Sequence, residues 1–368
     1  MASEKTQYHL RPFIKWAGGK DKELKILQKY FPENISRYVE PFVGGGAAYL
    51  NTPAKEYLIN DKSVELISLY EMIQNNNPVF FGYITQIAHS WNRLTLFSRD
   101  IKIILIRIFN EFDEDRIKDF IQEHIQEIEK LIIRNDDNDI EILKKEISRN
   151  LNSKIRRAKK IESSKGMLPE DEIIKNMECA LKSAFYMYIR YLYNSIPLEG
   201  HKELYCATFY FIREYCYSSM FRYNDKGEFN VPYGGISYNN KDFLNKINLL
   251  NSNELIQKLN NNTFISCNDF EVFLEAINLT KNDFIFLDPP YDSEFSTYAK
   301  NSFDRNDQIR LAEFLKKTKA KFLLVIKETD FIKSLYSDFT ILSFEKQYMV
   351  SFKNRNNREV THLIIKNY

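Results

Sequence analysis

Phe284-Ile-Phe-Leu-Asp288-Pro289-Pro290-Tyr291 governs how the rest of the chain is read. Phe284 to Leu287 have the β-propensity and unbroken apolarity of a strand covered on both faces. Pro289 and Pro290 have no N–H to give a neighbouring strand, so the ladder must stop there. Asp288 is thereby left at the strand's carboxyl end, the edge of an open α/β sheet where ligands bind. An acid, two prolines and an aromatic ring at that edge suit methylation of an exocyclic amine on a nucleobase. Such a nitrogen is a poor nucleophile because its lone pair is delocalised into the ring. Asp288 can accept one of its N–H groups, and the carbonyl of Pro290, fixed by the rigid proline pair, can accept another. Tyr291 can stack on the base, with stacking worth roughly 1–3 kcal/mol per base. Together they would localise the lone pair for attack, with no covalent intermediate. An ordinary strand end followed by a Pro-Pro turn has the same four residues, so the remaining motifs must separate the two.

Two glycine-rich stretches precede it. Phe13-Ile-Lys15-Trp16-Ala17-Gly18-Gly19-Lys20 is a glycine turn between an aromatic pair and a helix expected from near Asp21. N–H groups at such a turn, with Lys20 beside them, suit a carboxylate or phosphate. Tyr38-Val-Glu40-Pro41-Phe42-Val43-Gly44-Gly45-Gly46 reads as strand, loop and helix start. Its glycines would let the backbone approach a cofactor where a Cβ would clash. No Lys-Ser or Lys-Thr follows, so it is not a phosphate-binding P-loop. The next strand, Glu56 to Asn60, ends in Asp61, an acid placed either to accept from ribose hydroxyls or to cap the helix from Ser63. Thr263-Phe-Ile-Ser-Cys267-Asn268-Asp269-Phe270 is a later strand, again ending in an acid, with Asp269 and Phe270 placed to meet an adenine. Glycine loop and strand-end acids suit an adenosine-containing cofactor.

With 368 residues, 44% of them hydrophobic, the chain is long enough for a sizeable core and two domains. Lys+Arg 52 against Asp+Glu 50 gives a net charge of only +2, so a nucleic-acid partner would have to be met by local basic patches. No apolar run of about 18 residues occurs and the first residues have no apolar signal core, which points to a soluble, intracellular protein. Cys179, Cys206, Cys216 and Cys267 are scattered, without the spacing of a metal site or a disulfide framework, and are expected as reduced core residues.

From Val64 to Gly200 the periodicity is helical, with a break expected near Asn135 to Asp139 and a joint at Ser163-Ser164-Lys165-Gly166. The basic run Lys154 to Lys160 is flanked by acids and reads as a solvated helix face rather than a track for phosphates. Phe221-Arg222-Tyr223-Asn224-Asp225-Lys226-Gly227-Glu228-Phe229-Asn230-Val231-Pro232-Tyr233-Gly234-Gly235 places a turn signal between aromatic runs, so a β-hairpin is expected. Such a hairpin can enter the major groove, with Arg222 forked onto a guanine and Ser218, Met220, Asn230 and Pro232 at neighbouring positions. A helix from Arg305 to Lys317 and a strand from Lys321 to Ile326 follow. Two further strands are expected around a basic turn at Lys353, Arg355 and Arg358, closing a mixed sheet.

In this order these residues resemble the Dam-like DNA adenine-N6 methyltransferases. The likeness covers both ends of the chain and the hairpin: Lys15 to Lys20, Glu40 to Gly46, Asp61, Arg222 to Asn224, Pro232 to Gly234, Asp269-Phe270 and Asp288 to Tyr291. It implies an S-adenosylmethionine-dependent enzyme that flips adenine out of double-stranded DNA, in GATC or a related short site. By that likeness Phe13, Trp16, Ala17, Gly18, Lys20, Pro41, Phe42, Gly44, Gly46 and Asp61 would hold the methionine and ribose ends of the cofactor. Asp269 and Phe270 would meet its adenine, with Asp288 bordering it, and Lys15 and the hairpin would contact the DNA. Where the family has Asn-Gly-Leu-Cys-Arg before the hairpin, this chain has Ser218-Ser219-Met220-Phe221-Arg222, and Gly235 stands at a position often basic in the family.

The implied architecture is α/β: the Rossmann-like mixed sheet of a class I methyltransferase, in residues 1–73 and 262–368, interrupted by a mainly helical target-recognition domain with a hairpin in residues 74–261. Further expectations are a cytoplasmic, nucleoid-associated protein and a cognate restriction endonuclease acting on the same site. Two alternatives are a methyltransferase acting on RNA adenine or on cytosine N4, and a non-catalytic DNA-binding relative. The order of glycine loop, recognition region and Asp288 resembles the adenine enzymes, and Asp288 to Tyr291 together with Asp61 speaks against loss of catalysis.

Overall fold

Strand β4 (Asp283–Leu287) lies in the middle of a seven-stranded sheet and is buried along its whole length. The computed structural model describes residues 10–16, 18–134, 136–290, 303–347 and 359–368. Ala17, Tyr291 and the basic turn at Lys353, Arg355 and Arg358 lie outside the described residues. Alternation along β4 explains its continuous apolarity. The rings of Phe284 and Phe286 meet Phe31, with centroids 5.0 and 5.5 Å away, while Ile285 and Leu287 join a cluster with Val39, Leu311, Leu315 and Leu324. Both faces of the strand are covered.

The other strands are β1 (Arg37–Glu40), β2 (Glu56–Asn60), β3 (Thr263–Ser266), β5 (Lys321–Lys327), β6 (Thr340–Gln347) and β7 (Glu359–Lys366), in the order β3-β2-β1-β4-β5-β7-β6. The first five run parallel, and β7 pairs antiparallel with both β5 and β6. This is the expected mixed, Rossmann-like sheet. From β1 the chain winds outward to β2, and on the other side from β4 to β5, so the order reverses between β1 and β4. A crevice opens at that switch point, outside the carboxyl ends of the strands. At the opposite ends of the same pair the Arg37 guanidinium forks onto Asp283, at 2.7 and 3.0 Å, and also reaches the carbonyl of Asn278 at 2.7 Å.

The chain divides into two units, one of Met1–Asn75 with Leu250–Tyr368 and one of Asn76–Leu249. The first carries the sheet. Its second segment resumes at Leu250, earlier than the residue 262 expected from the sequence, because the helix Asn253–Asn260, capped by Ser252, belongs to it. Gln74, ending the helix Val64–Gln74, donates to the carbonyls of Leu259 (2.7 Å) and Thr263 (3.2 Å), and so ties that helix to β3.

The second unit is built from the long helices Pro78–Asp100, Asp137–Lys165, Glu170–Ser195 and Lys202–Tyr215. Trp91 sits in an aromatic core, with centroids 4.5 Å from Tyr215, 5.3 Å from Phe211 and 5.6 Å from Tyr233. The joint expected at Ser163-Ser164-Lys165-Gly166 falls on its last residue, Gly166, whose φ of 92° ends the helix. Both serines are still helical, and their hydroxyls bond back to the carbonyls of Lys159 and Ile161. In the basic run, Arg156 pairs with Glu114, and Lys159 pairs with Glu162 at 3.0 Å while lying over the Phe109 ring. Among the described residues no helix is long and apolar enough to cross a membrane. Cys179, Cys206 and Cys216 are buried, whereas Cys267, expected in the core, is exposed just past β3.

The expected hairpin is not a regular ladder. Only two isolated antiparallel bridges form, Cys216 with Tyr233 and Tyr223 with Phe229. The cross-segment bonds from the N–H of Asn224 to Glu228 and from that of Asn230 to Arg222 continue the Tyr223–Phe229 pairing, but the register shifts before the Cys216–Tyr233 bridge. Helix side chains satisfy groups on the outer edge of the return segment. Asn194 accepts from the N–H of Phe229 (2.9 Å) and donates to its carbonyl (3.0 Å), and the Tyr186 hydroxyl donates to the carbonyl of Val231 (2.9 Å). The tip is closed by Asn224, whose side-chain oxygen accepts from the N–H groups of Lys226 and Glu228. Where this segment leaves the helix Lys202–Tyr215, Ser218 and Ser219 both have φ of 53°, the left-handed region that Asn and Gly tolerate and serine resists. Ser219→Gly is therefore expected to relieve strain worth roughly 1–2 kcal/mol, offset in part by a more flexible unfolded chain, for a net gain of about 1 kcal/mol. Chemical denaturation of the two proteins checks this, and an unchanged or lower midpoint would show that the left-handed turn is not strained.

Candidate active site

The loops that follow β1, β2, β3 and β4 bring Gly44 to Gly46, Asp61, Asp269 and Asp288 to the same edge of the sheet. Asn60, the last residue of β2 and fully buried, rivets the first three loops together. Its amide donates to the carbonyls of Pro41 and Asn268, both at 3.0 Å, and its side-chain oxygen accepts from the N–H of Asn268 at 2.9 Å. The N–H of Val43 closes onto the Asn60 carbonyl at 2.9 Å.

The three glycines are required by the protein's own packing, where the sequence pointed to close approach of a cofactor. A Cβ on Gly44 would stand 2.8 Å from the Trp16 ring, one on Gly45 2.9 Å from the Ile14 carbonyl, and one on Gly46 2.5 Å from the Tyr70 hydroxyl. Gly44 and Gly46 also have φ of 49° and 77°. Tyr70, buried in the helix Val64–Gln74, donates to the carbonyl of Gly44 at 3.0 Å and meets the edge of Phe13 at 4.8 Å between centroids. Phe13 and Trp16 thus form a floor beneath the loop. Phe42 packs on Phe270 and Phe303, each 5.5 Å away, and Phe270 is itself buried in the core.

Asp61 accepts from the N–H of Gly44 with one oxygen (3.1 Å) and from that of Ser63 with the other (2.9 Å), so it both pins the glycine loop and shapes the start of the next helix. The helix cap proper is the Ser63 hydroxyl, which accepts from Leu66. Burial pushes the Asp61 carboxyl up to about 6, against these two N–H groups, which favour its charged form. Glu40, at the end of β1 and only 2% exposed, accepts from the Tyr38 hydroxyl at 2.8 Å, and burial raises its carboxyl well above the usual range. Asp269 caps the short helix Phe270–Glu275 through the N–H of Glu271 (3.1 Å) and is held by Arg310 at 2.7 Å. Burial opposes its charged form, but the Glu271 N–H and Arg310 prevail and hold it below the usual aspartate range.

Asp288 meets Lys20, whose ammonium lies 2.5 Å from Oδ1 and also donates to the Gly18 carbonyl at 2.8 Å. Lys20 is 2% exposed and Asp288 17%, so the ammonium is shielded from bulk water while the carboxylate stays partly open. Sequence placed Lys20 with the cofactor; the structure brings it to the acid of the Asp-Pro-Pro segment. Pro289 is buried, and the carbonyl of Pro290 accepts from the buried Gln308 at 3.3 Å. Tyr291 and Ala17, expected at the base and the cofactor, lie outside the described residues.

In the second unit, Arg222 is exposed and its Nε donates to Asn230 Oδ1 at 3.0 Å, while the N–H of Asn230 returns to the Arg222 carbonyl at 3.1 Å. The Pro232 carbonyl accepts from Tyr217 at 2.8 Å, which sets Ser218 and Met220 beside the return segment. Ser218 and Pro232 are exposed, Met220 and Asn230 half-buried. Lys15, in the first unit, is exposed. Sequence reasoning missed Asn60, Tyr70, Gln308 and Arg310. Only Asn60 left a signal, as a polar residue closing an apolar strand.

The chain was compared with known proteins. The model of the D12 class of N6 adenine-specific DNA methyltransferases matches residues 16–350. Type II methyltransferase M.CviBI of Paramecium bursaria Chlorella virus NC1A is 28% identical over 369 residues, covering 98% of this chain and 100% of that protein. Type II methyltransferase M.MjaIII of Methanocaldococcus jannaschii is also 28% identical, over 378 residues, covering 98% and 99%. A DNA adenine methylase of Vibrio cholerae is 23% identical over 313 residues, covering 84% and 76%. With the seven-stranded mixed sheet and the acids at its carboxyl edge, this match establishes that the chain belongs to the D12 class of N6 adenine-specific DNA methyltransferases.

Proposed function

We propose that this chain transfers a methyl group from S-adenosylmethionine to N6 of an adenine flipped out of duplex DNA, within GATC or a related short site. The observation that carries the reading is the pairing of the buried Lys20 with the half-buried Asp288 at the end of β4, next to the switch point of the sheet. Asp61 and Asp269, at the ends of the adjacent strands β2 and β3, fit an adenosyl group as a pair of acceptors: one carboxylate suits the ribose diol and the other the adenine amine. S-adenosylmethionine supplies an electrophilic methyl on sulfur. Everything else is done by the chain. N6 lies on the base-pairing edge, so the adenine must leave the stack before Asp288 can accept from it. As the amine attacks, positive charge develops on its nitrogen, and the Asp288 carboxylate meets that charge. Lys20 fixes the carboxylate's rotamer, and Gln308 fixes the carbonyl of Pro290.

On the recognition side, Asn230 holds the Arg222 side chain by its Nε, a geometry that suits a fork presented to a guanine. Ser218, Met220 and Pro232 belong to the same segment, and Lys15 is a further contact. The type II names of two relatives support pairing with a cognate endonuclease. Mass spectrometry of nucleosides from DNA and RNA incubated with protein and S-adenosylmethionine tests the reading. N6-methyladenine in DNA alone is expected, and N4-methylcytosine, methylated RNA or no product would overturn it.

Asp288→Ala is expected to lower turnover by roughly 10²–10⁴-fold and to leave cofactor affinity within a few-fold; single-turnover rates and calorimetry separate the two.

For Asp61 the sign of the pH dependence follows from its raised carboxyl. In the ligand-free protein its contribution to stability is present below the ordinary value of 3.8 and is lost as pH rises through about 6. Ribose hydroxyls donate to the charged form, so cofactor affinity should be level above about pH 6 and weaken below it, by up to about tenfold per unit. Asp61→Ala should remove that inflection and weaken binding by about 1.5–3 kcal/mol. Calorimetry across the range decides it, and a flat profile in the parent protein would remove Asp61 from the ribose.

Arg222→Ala is expected to relax the preference at one guanine by roughly 1–3 kcal/mol, and Asn230→Ala to relax the same position less. Sequencing of sites methylated on a randomised duplex reads both. An unaltered profile with a salt slope shallower by about one unit would make Arg222 a phosphate anchor.

A further inference from the structure

Arg310 stands on the helix Arg305–Lys317 and is shared by three carboxylates. Nη2 donates to Asp269 Oδ1 at 2.7 Å, Nε to Glu271 Oε2 at 2.8 Å and Nη1 to Asp307 Oδ1 at 2.7 Å. The guanidinium carbon also lies 4.8 Å from the centroid of the Phe270 ring, so both the edge and the face of the group are engaged. The side chain is 36% exposed, and ion pairs at such exposure add little stability one by one. Their geometry is more informative. The Arg310 and Glu271 N–H bonds both fall on Oδ1 of Asp269, whereas Oδ2 is approached by the exposed Lys62 ammonium at 3.6 Å. The carboxylate is thereby oriented, with Oδ1 committed to the protein and Oδ2, beside Lys62 at the carboxyl edge of the sheet, left to accept from a ligand there.

We propose that Arg310 is a positioning residue for cofactor selection: by holding Oδ1 of Asp269 it presents Oδ2 to the exocyclic amine of an adenosyl ligand, so that the site rejects a purine bearing an oxygen there. This rests on Asp269 lying at the cofactor's adenine, as argued for the proposed function. A 6-oxo group would set acceptor against acceptor, and a site built around a buried or oriented acceptor discriminates strongly against a partner that cannot donate. Arg310 makes that discrimination possible by denying Asp269 the rotamers in which it could turn away.

The test uses the full chain and two product-like ligands, S-adenosylhomocysteine and its deaminated counterpart S-inosylhomocysteine, with dissociation constants from calorimetry. The parent should prefer the adenosyl ligand by about 100-fold or more. Arg310→Gln should lower that preference about tenfold, through weaker adenosyl binding with inosyl binding unchanged, and Arg310→Lys should restore part of it. Equal weakening of both ligands, or an unaltered ratio, would make Arg310 a structural residue and overturn the proposal. Should Arg310→Gln fail to fold, Glu271→Gln loosens the same guanidinium without touching Asp269, and an unaltered ratio in that variant counts against the proposal equally. A parent protein that binds neither ligand would remove the cofactor reading itself and this inference with it, whereas normal adenosyl preference that ignores Arg310 removes this inference alone.

Discussion

The parallel pairing of β1 with β4 is the constraint on which the rest of the molecule depends. The Arg37–Asp283 fork joins residues 246 positions apart and sets the amino ends of the two strands side by side. Once they are in register, the loop after Glu40 and the loop after Leu287 must emerge at the same edge. The sheet winds away from this pair in both directions, so no neighbouring strand closes the gap above it. The whole of Asn76–Leu249 is then an excursion between β2 and β3, tolerated because the sheet is completed by residues that come after it.

That edge gathers four carboxylates, those of Glu40, Asp61, Asp269 and Asp288, and the fold deals with each differently. Glu40 is withdrawn into the core, where its proton is favoured. Asp269 is balanced by Arg310 and Asp288 by Lys20. Asp61 is held by backbone N–H groups, with no ion pair among the described residues, and it is the one whose titration moves to about 6. Like charges in one crevice repel, and the chain sets cations or burial against each of them.

Much of this was legible in the sequence because it depends on backbone rules. Unbroken apolarity at Phe284 to Leu287, two prolines that end a ladder and acids at strand ends are local signals, and they placed β1 to β5 and the candidate acids. The hairpin was legible in its tip, but not the break in its ladder, which comes with the left-handed Ser218 and Ser219, nor its support by Asn194 and Tyr186, side chains on a helix that no local pattern announces. The glycines have a second reason that sequence did not show: they accommodate Trp16, Ile14 and Tyr70, contacts that need the fold to be known. Lys20 and Arg310 act across long sequence separations as well, and a lysine in a turn or an arginine on a helix looks the same in sequence whether it faces solvent or an aspartate.

The position of β7 bears on how the chain is made. Strands β5 and β6 are translated first, yet they do not touch; each pairs with β7, which is inserted between them. On the ribosome, the growing chain must therefore hold β5 with an unpaired apolar edge until β7 has emerged. Such an edge is a template for pairing with another chain, and long-range strand pairings form slowly. Until β7 is in place, then, both β5 and β6 lack the partner that closes the sheet.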